Sequence, residues 1–452
     1  MAKVRTMKSQ FLIAAPHSGA GKTTVTLGLL RALRRKGHRV QPFKCGPDFI
    51  DPIHHQAAAG RDSVNLDRYM MSDDHIRFLY DRYSADADCC ITEGVMGLFD
   101  GSVKSTGSTA DLAKLLALPV VLVLNAKAMA YSAAAILYGL KNFDPALQIA
   151  GVLFNFVETE GHYRLLQEAC TDVGVDALGY LPVNAGLRIP SRHLGLDTAE
   201  AETAIEAAAD HIEKHIRLEE LLAVTQVKEQ PARHSGKPMT NTGAPGRRTV
   251  LVAKDAAFQF LYPENIRRLE QWGSIHYFSP LSTRQLPVVA DLLYLPGGYP
   301  ELFLRELAGN GALLEQLRGY AAAGGRIIAE CGGMMYLGRS ITDEAGQSYP
   351  MTGILDISTG MEQKKLCLGY RTIKLPGGTA RGHEFHYSQY IQQPNQAALT
   401  SSEGYNARGD RIDIPFFYTP NLLASYLHLY WGEETGFLES WLDGNARPAE
   451  GR

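Results

Sequence analysis

The chain has 452 residues, of which 45% are hydrophobic and 21% are charged, and its formal net charge is −3. This length is enough for two or three domains that each bury a core. The composition is that of a globular enzyme, and no apolar run approaches a membrane-spanning length. The slightly acidic balance argues against a nucleic-acid-binding protein that works by neutralising phosphates. We therefore expect neither nucleic acid nor membrane as a partner.

The cysteines indicate a reducing compartment. The six cysteines include no Cys-x-x-Cys pair and no spacing typical of a metal site. The basic N-terminal residues lead into a short apolar stretch followed by a glycine-rich loop, which is not the pattern of a signal peptide. We therefore expect a cytoplasmic protein.

Residues 15–24, Ala-Pro-His-Ser-Gly-Ala-Gly-Lys-Thr-Thr, predict a phosphate-binding loop. They lie between an apolar run at residues 11–15, which predicts a buried strand, and a helical pattern at residues 24–34. The glycines let the backbone wrap around an anion that faces the N-terminus of the helix. Pro16 replaces the first glycine of the usual Gly-x-x-x-x-Gly-Lys-Ser/Thr pattern. The alternative is a glycine-rich turn that binds nothing.

Two side chains of this loop have expected roles. Lys22 would reach the terminal phosphates of ATP, and the hydroxyl of Thr23 would bind Mg²⁺. The predicted ATP-binding residues are Ser18, Gly19, Gly21, Lys22, Thr23 and Thr24.

Strands alternate with helices through the first 226 residues, which predicts a doubly wound parallel sheet. After the phosphate loop, strands are predicted at residues 89–92, 120–125 and 149–154, and helices at residues 110–118 and 131–142. We assign residues 1–226 to a first domain, which carries the phosphate-binding loop.

Two further segments of this domain carry more polar residues than a packed core accepts. Residues 44–55, Lys-Cys-Gly-Pro-Asp-Phe-Ile-Asp-Pro-Ile-His-His, predict a loop after a short strand. The segment at residues 93–101 places Glu93 at the carboxyl end of a strand, where ligands bind in open α/β sheets and an acid can hold Mg²⁺. The alternative is that these acids are solvated loop charges or helix caps. The candidate metal ligands are Thr23, Asp48, Asp51 and Glu93, and the candidate substrate contacts are Lys44, Asp48, Asp51, His54, His55 and Asp100.

A polar segment separates the two halves of the chain. Residues 227–247 hold three prolines, three glycines and almost no apolar side chain, which predicts a linker. Residues 248–452 then form a second α/β domain. Its strands are predicted at residues 249–253, 275–278, 292–295 and 326–329.

The second domain contains the outline of a nucleophile elbow. A strand at residues 326–329 runs into Glu-Cys-Gly-Gly and a helical start. We expect the helix N-terminus to lower the pKa of the Cys331 thiol, and backbone N–H groups near Gly298 and Gly332 to receive an oxyanion. His428, on a predicted strand, is the candidate base. The alternative is an inert, buried cysteine.

Together these motifs resemble the cobyrinic acid a,c-diamide synthase family, a dethiobiotin-synthetase-like ATPase fused to a class I glutamine amidotransferase domain. The resemblance covers nearly the whole chain and includes Tyr-Pro-Glu-Asn at residues 262–265 and Arg-Gly-His-Glu-Phe-His-Tyr-Ser at residues 381–388. It implies a P-loop NTPase-like domain followed by a flavodoxin-like domain, each with a doubly wound parallel sheet. It also implies ATP- and glutamine-dependent amidation of the a and c acetate groups of a corrinoid through an acyl phosphate.

One departure bears on the catalytic residues. Class I amidotransferases generally use Cys, His and Glu, with His and Glu two residues apart, whereas Tyr430 is the second residue after His428. The resemblance therefore implies a dyad of Cys331 and His428. His383 and His386 either face a substrate cleft or satisfy buried hydrogen bonds.

The expected cofactors are ATP and Mg²⁺, and the expected partners are glutamine and a corrinoid or related tetrapyrrole polycarboxylate, with a homodimer left open. Hydrogenobyrinic acid and nickel sirohydrochlorin are alternative acceptors for the same chemistry in place of cobyrinic acid. From another class, the chain would be a P-loop regulatory ATPase with an inactive amidotransferase domain. The intact Cys331-Gly332-Gly333 and His428 argue against that alternative.

Overall fold

The computed structural model describes residues 7–184, 187, 198–228, 248–375, 378–392, 403–433 and 436–444. The chain separates into two compact units, Met1–Lys237 and Pro238–Arg452. Most of the predicted linker, residues 229–247, lies outside the described residues. None of the helices in the part of the chain just defined is long and apolar enough to cross a membrane.

The first unit is an alternation of strands and helices, as the sequence predicts. Its strands are β1 Met7–Ala14, β2 Val40–Cys45, β3 Val64–Leu66, β4 Cys89–Glu93, β5 Val120–Asn125, β6 Ile149–Asn155, β7 Ala177–Leu181 and β8 Gln226–Lys228. Its helices are α1 Lys22–Arg35, α2 Ile50–Ala59, α3 Asp73–Ser84, α4 Thr109–Leu116, α5 Ala133–Phe143, α6 Glu160–Val173, α7 Thr198–His215 and α8 Leu218–Val224.

These strands form one sheet in the order β3-β2-β4-β1-β5-β6-β7, and all six pairings along it are parallel. Strand β8 pairs antiparallel with the beginning of β1. Val227 and Lys228, which we assigned to the linker, therefore belong to the first sheet. Strand β5 pairs only with the end of β1, which leaves backbone N–H and C=O groups at the beginning of β1 without a partner on that side. The three residues of β8 pair with them there.

The order of the strands positions the phosphate loop. Strand β1 is central, with β4 on one side and β5 on the other, and β5, β6 and β7 are added on the side opposite to β2, β3 and β4, so that β1 lies at the switch point of the strand order. In the register of β1 and β4, Ile13 lies opposite Glu93. The ends of these two strands therefore bring the phosphate loop and Glu93 to one edge of the sheet, as predicted.

The second unit has a larger number of short strands. They are β9 Thr249–Ala253, β10 Ser274–Phe278, β11 Leu292–Leu295, β12 Arg326–Glu330, β13 Ser340–Thr342, β14 Ser348–Pro350, β15 Ser358–Gly360, β16 Cys367–Leu375, β17 Gly378–His386, β18 Gln389–Gln392, β19 Glu403–Asn406, β20 Arg411–Ile412, β21 Phe416–Thr419, β22 Leu422–Ser425 and β23 His428–Tyr430. Its helices are α9 Pro263–Trp272, α10 Leu304–Gly309, α11 Gly311–Ala322, α12 Gly332–Leu337 and α13 Phe437–Leu442.

The main sheet of this unit has the order β10-β9-β11-β12-β22-β21. Its first five strands are parallel, and β21 returns antiparallel to β22. This confirms the predicted parallel α/β core. Buried apolar side chains cover both faces of the sheet in two clusters, one around Leu251 and Leu293 and the other around Val250 and Tyr294.

The described residues of the second unit also form two smaller sheets, which were not predicted from the sequence. One has the order β14-β13-β15-β18 and the other the order β20-β19-β16-β17-β23. The second of these is antiparallel throughout and ends on the strand that begins with His428. His428 is therefore carried by a strand, as predicted, but by a strand outside the main sheet.

Candidate active sites

The phosphate loop depends on two glycines with left-handed backbone. Gly19 has φ of 81° and Gly21 has φ of 98°, a conformation that side chains with a Cβ rarely adopt. Gly21 directly precedes α1 and also faces Asn155, whose Nδ2 donates to the carbonyl of Ala20 at 3.0 Å. A Cβ on Gly21 would lie 2.1 Å from that Nδ2, whereas a Cβ on Gly19 would meet nothing within 4 Å.

Gly21→Ala is therefore expected to destabilise the first unit more than Gly19→Ala. Both variants carry the backbone strain, but Gly21→Ala also displaces Asn155 and breaks its hydrogen bond, an added cost of about 1 kcal/mol or more. Hydrogen–deuterium exchange without nucleotide measures this, and β1 and α1 should exchange faster in Gly21→Ala. Equal exchange in the two variants would contradict the close contact with Asn155.

The ammonium of Lys22 lies against the loop. Its Nζ donates to the carbonyl oxygen of Met96 at 2.6 Å and to that of His17 at 3.4 Å. Burial lowers the pKa of Lys22, and the carboxylate of Glu93 opposes this effect. The segment at residues 93–101 lies along the end of β1, since the N–H of Leu98 donates to the carbonyl of Ala15. A phosphate oxygen would offer Lys22 a stronger, charged acceptor than these carbonyls.

Glu93 is the centre of a buried cluster at the end of β4. Its Oε1 accepts from the hydroxyl of Thr23 at 2.6 Å and from Nζ of Lys44 at 3.1 Å, and its Oε2 lies 2.7 Å from Nε2 of His55. Burial alone would raise the pKa of Glu93, but the Lys44 ammonium and the His55 hydrogen bond hold it well below its usual value. Glu93 is therefore a carboxylate aimed at the phosphate loop.

Lys44 and His55 are enclosed in this cluster. Lys44 also donates to Asp51 at 2.5 Å, and its side chain is 3% exposed, while that of His55 is fully buried. Burial alone would lower the pKa of Lys44, but Asp51 and Glu93 raise it above its usual value. Burial and the neighbouring Glu93 raise the pKa of Asp51 above its usual value, and the Lys44 ammonium opposes them. Lys44 and His55 thus hold Glu93, and their predicted contact with substrate stays a prediction.

The segment at residues 44–55 is not the loop that we predicted. Its second half is the start of α2, so Asp51, His54 and His55 are helical residues. The Gly46-Pro47 pair favours a turn, but the residues from Ile50 onward form a helix. His54 is buried, and burial together with His55 lowers its pKa. Asp100 is exposed, and its Oδ2 accepts from the N–H of Gly97 at 3.0 Å.

The four predicted metal ligands are not assembled as one set. Thr23 and Glu93 touch, but Oδ1 of Asp48 accepts from the N–H groups of Ile50 and Asp51 in the first turn of α2, and Asp51 pairs with Lys44. Among the described residues, no group of three or more His, Cys, Asp and Glu side chains is arranged to hold a metal ion. The hydroxyl and carboxylate of Thr23 and Glu93 are nevertheless hard oxygen donors that suit Mg²⁺ beside bound phosphates.

In the second unit, Cys331 has the backbone of a nucleophile elbow. It lies between β12 and α12 with φ of 46° and ψ of −108°, a strained conformation for a residue with a Cβ. Its N–H donates to the carbonyl of Ser425 at 2.8 Å, which holds the turn. The pKa of the thiol is raised, not lowered as predicted, because burial and the nearby Glu301 disfavour the thiolate. A hydrogen bond from the Gly332 N–H lowers the pKa of the thiol, but this effect is smaller than those of burial and Glu301.

The predicted oxyanion donors are neighbours. A Cβ on Gly332 would lie 3.3 Å from the backbone nitrogen of Gly298, so these two peptide groups lie close together. The preceding Gly297 packs on the ring of His428, where a Cβ would lie 2.2 Å from Cε1. The elbow, the Gly297-Gly298 segment and His428 therefore form one site. Gly297 belongs to the Pro-Gly-Gly segment that the sequence predicts to supply an oxyanion donor, but its close packing against the His428 ring was not predicted.

His428 is a buried histidine that favours its neutral form. Burial first, and then the imidazoles of His383 and His386, lower its pKa well below the usual value. A neutral imidazole is the form that can accept a proton. The thiol of Cys331 therefore favours its protonated form and the imidazole of His428 its neutral form, so a thiolate at Cys331 would have to form by transfer of its proton to a base.

Glu330, which the sequence analysis did not single out, is a buried carboxyl group next to Cys331. Its Oε2 accepts from the hydroxyl of Tyr294 at 2.8 Å, and its Oε1 accepts from the N–H of Leu429 at 2.9 Å. Burial raises the pKa of Glu330 to about 8, and these two hydrogen bonds only partly oppose it. The side chain therefore connects β12 to the strand that carries His428.

This raised pKa predicts a pH dependence of stability. Between the unfolded pKa of about 4.5 and the folded pKa of about 8, the folded chain holds a proton that the unfolded chain has lost. The free energy of unfolding therefore falls as the pH rises through this window, by about 1.4 kcal/mol for each unit of the shift at most. Glu330→Gln removes this contribution.

We expect the free energy of unfolding of the native chain to fall, relative to that of Glu330→Gln, by at least about 1 kcal/mol from pH 5.5 to pH 8.5. Urea unfolding followed by tryptophan fluorescence measures it, because Trp272, Trp431 and Trp441 all lie in the second unit. Glu315→Gln, at an exposed position of α11, is the control and should show no such change. A difference that is constant with pH would show that Glu330 is ionised throughout.

Comparison with known proteins identifies the domain family of each unit. Residues 11–196 match the CobQ/CobB/MinD/ParA nucleotide binding domain, and residues 249–436 match the CobB/CobQ-like glutamine amidotransferase domain. A solved structure described as a glutamine amidotransferase covers 43% of this chain and is itself covered to 96%, at 15% identity and a TM-score of 0.31. This last likeness is too weak to carry an argument.

Curated relatives match nearly the full length. A hydrogenobyrinate a,c-diamide synthase of Brucella abortus is 39% identical, covering 93% of this chain and 98% of the relative. Cobyrinate a,c-diamide synthases of Listeria monocytogenes and Salmonella typhimurium are 41% and 38% identical, covering 94% and 96% of this chain and 96% and 97% of those relatives. The chain therefore belongs to the family of cobyrinate and hydrogenobyrinate a,c-diamide synthases, which join a nucleotide-binding domain to a glutamine amidotransferase domain.

Proposed function

We propose that this protein uses ATP and glutamine to convert the a and c acetate carboxylates of cobyrinic acid into amides during cobalamin biosynthesis. The observation that carries the proposal is the similarity to a,c-diamide synthases over nearly the full length, at 41% and 38% identity. It is supported by the contact of Thr23 with Glu93 beside the phosphate loop in the first unit and by the elbow at Cys331 in the second. Cobyrinic acid is the acceptor named for the relatives from Listeria and Salmonella.

The second unit would supply the nitrogen. His428 takes the proton of Cys331, and the sulfur attacks the carboxamide carbon of glutamine. The N–H groups of Gly298 and Gly332 stabilise the oxyanion of the tetrahedral intermediate. The C–N bond breaks, the leaving nitrogen takes the proton from His428, and ammonia is released. Water then hydrolyses the thioester to give glutamate and restore the thiol.

The first unit would activate the acceptor. A substrate carboxylate oxygen attacks the γ-phosphorus of ATP, the bond to ADP breaks, and an acyl phosphate forms. Ammonia attacks its carbonyl carbon and phosphate leaves, so that two rounds consume two ATP and give the diamide. Lys22 binds the terminal phosphates, and its charge offsets the charge that develops there. Thr23 and Glu93 would hold Mg²⁺, which when bound neutralises phosphate charge.

The remaining polar residues of the first unit are proposed to orient the acceptor. We retain the six substrate contacts predicted from the sequence, which are Lys44, Asp48, Asp51, His54, His55 and Asp100. A cytoplasmic location is also proposed, in keeping with six cysteines that are free in the structure. A homodimer stays an open expectation from the sequence.

Hydrogenobyrinic acid is the second candidate acceptor, because the relative from Brucella is a hydrogenobyrinate a,c-diamide synthase of similar identity. Purified protein with ATP, Mg²⁺ and glutamine, offered cobyrinic acid, hydrogenobyrinic acid and nickel sirohydrochlorin in parallel, distinguishes the acceptors by the mass of the product. We expect the diamide of cobyrinic acid to form fastest and to require ATP. Faster amidation of either other macrocycle would replace cobyrinic acid as the acceptor, and no amidation of any would overturn the proposal.

The regulatory-ATPase alternative makes a different prediction. A chain with an inactive amidotransferase domain would hydrolyse ATP without releasing glutamate from glutamine. The geometry around Cys331, Gly298 and His428 instead supports glutamine hydrolysis. A glutaminase assay on the purified protein decides between the two.

A further inference from the structure

His428 needs a fixed ring orientation if it is to accept the proton of Cys331. In three-residue amidotransferases an acidic side chain, two residues further along, does this. Tyr430 takes that place here. The groups that orient His428 must therefore come from other parts of the fold.

The backbone around His428 is held from two sides. Strand β17 pairs antiparallel with β23, in a register that places His383 opposite His428. The next residue, Leu429, directs its polar groups elsewhere: its N–H donates to Glu330 at 2.9 Å, and its carbonyl accepts from Nδ2 of Asn265 at 2.8 Å. These contacts hold the backbone of His428 in place, and its ring packs against neighbouring aromatic side chains.

A second imidazole packs against the ring of His428, whose centroid also lies 6.0 Å from that of the Phe260 ring. The rings of His383 and His428 are stacked, with centroids 5.0 Å apart and an interplanar angle of 20°. The hydroxyl of Tyr262 lies 3.2 Å from Nδ1 of His383, which fixes the second ring in turn. Both histidines are almost completely buried, at 2% and 1% exposure. Gly297 leaves room for the His428 ring, since any Cβ there would overlap it.

We propose that His383, held by Tyr262, is the positioning residue for His428 in glutamine hydrolysis. His383 has the role that an acidic side chain has in the three-residue enzymes, although Tyr430 occupies the corresponding position in the sequence. This assignment rests on the proposed function, since it assumes that His428 is the base. The motifs at residues 262–265 and 381–388 thereby have a shared role. The first contributes Tyr262, which contacts His383, and the second contributes His383, which stacks on His428.

The stack also affects the charge of His428. Two imidazolium rings at this separation would repel each other in a buried site, so the pair favours the neutral base. His383 and His386 of β17 both lower the pKa of His428, after the larger effect of burial. From the other elements, Tyr262 faces His383, and Glu330 reaches the strand through Leu429. A carboxylate in the place of His383 would instead favour the charged form.

Steady-state glutamine hydrolysis by His383→Ala, His383→Phe and Tyr262→Phe tests the assignment. We expect His383→Ala to lower kcat by about 10- to 100-fold with KM for glutamine changed by about threefold or less. Tyr262→Phe should lower kcat less, by about 3- to 10-fold. His383→Phe keeps a stacked ring and should retain more activity than His383→Ala. In the pH profile of kcat/KM for His383→Phe, the loss of activity on the acidic side should begin at a higher pH, because one of the groups that lower the His428 pKa has been removed.

The controls separate this inference from the proposed function. Tyr320→Phe removes a hydroxyl bond to the carbonyl of Arg326 in the same unit and should leave hydrolysis unchanged. Normal kcat and an unchanged pH profile in all three test variants would overturn the role of His383, provided that Cys331→Ser is inactive. Hydrolysis that persists in Cys331→Ser would instead overturn the proposed function. If His383→Ala does not fold, His383→Phe and Tyr262→Phe decide the matter.

Discussion

Cys331→Ser is expected to abolish glutamine-dependent amidation and to leave amidation with free ammonia in place. Serine keeps the size of the side chain but replaces the thiol with a much weaker acid, which the neutral His428 does not ionise. Glutamine hydrolysis should fall by about 10³-fold or more. Ammonia-driven turnover should stay within about twofold of the native rate, since it uses the phosphate loop and the Glu93 cluster alone.

Cys367→Ser is the matched control for this experiment. Cys367 is the other cysteine of the second unit and is only partly buried on β16, so its replacement should change neither activity. The two rates are compared by the mass of the product with glutamine and with ammonium chloride as nitrogen source. If ammonia-driven amidation also disappears in folded Cys331→Ser, the division of labour between the two sites is wrong.

Lys22→Ala should give the reciprocal result. Amidation should fall by about 10²-fold or more with either nitrogen source, because the ammonium that binds the terminal phosphates and stabilises the transferring group is gone. Glutamine hydrolysis at Cys331 should persist. Since Lys22 in the structure is bonded to the carbonyls of Met96 and His17, its removal also frees the loop and should raise KM for ATP.

Lys114→Ala is the matched control for Lys22→Ala. Lys114 lies on α4, where it pairs with Asp144 at the surface, and its replacement should affect neither reaction. ATP consumption and glutamate release are measured on the same samples. Retention of ATP-dependent amidation by Lys22→Ala would show that nucleotide binds somewhere other than the loop at residues 15–24.

The parallel sheets and the phosphate loop were predictable because each depends on local sequence. The apolar runs at residues 120–125, 249–253 and 292–295 match strands residue for residue, since a strand buried on both faces is a continuous apolar run. Glu93 was predictable from its place after such a run. The connection between strand order and ligand position then placed it beside Thr23.

Other parts depend on contacts distant in sequence. The strands of the two smaller sheets in the second unit are short and alternate irregularly, and β17 is stabilised by pairing with β16 and β23 rather than by its own composition. The helix at residues 50–59 follows a Gly-Pro turn that resembles a loop. The stack of His383 on His428 needs the register of β17 and β23, which no local pattern gives.

The pKa of Cys331 shows why a motif alone misleads on electrostatics. A helix N-terminus favours a thiolate, and the motif therefore predicted a lowered pKa. Helix α12 is short, however, and burial of Cys331 together with the nearby Glu301 outweighs its effect. The balance between these effects is set by the surrounding fold rather than by the sequence around the cysteine.

The central claim is that the nitrogen released at Cys331 is the nitrogen attached at the ATP-dependent site. Glutamine labelled with ¹⁵N in its side-chain amide, supplied together with unlabelled ammonium, ATP and cobyrinic acid, tests it most directly. The native protein should form a diamide carrying ¹⁵N, and Cys331→Ser should form only the unlabelled diamide. An unlabelled diamide from the native protein, formed while it hydrolyses glutamine, would contradict the account.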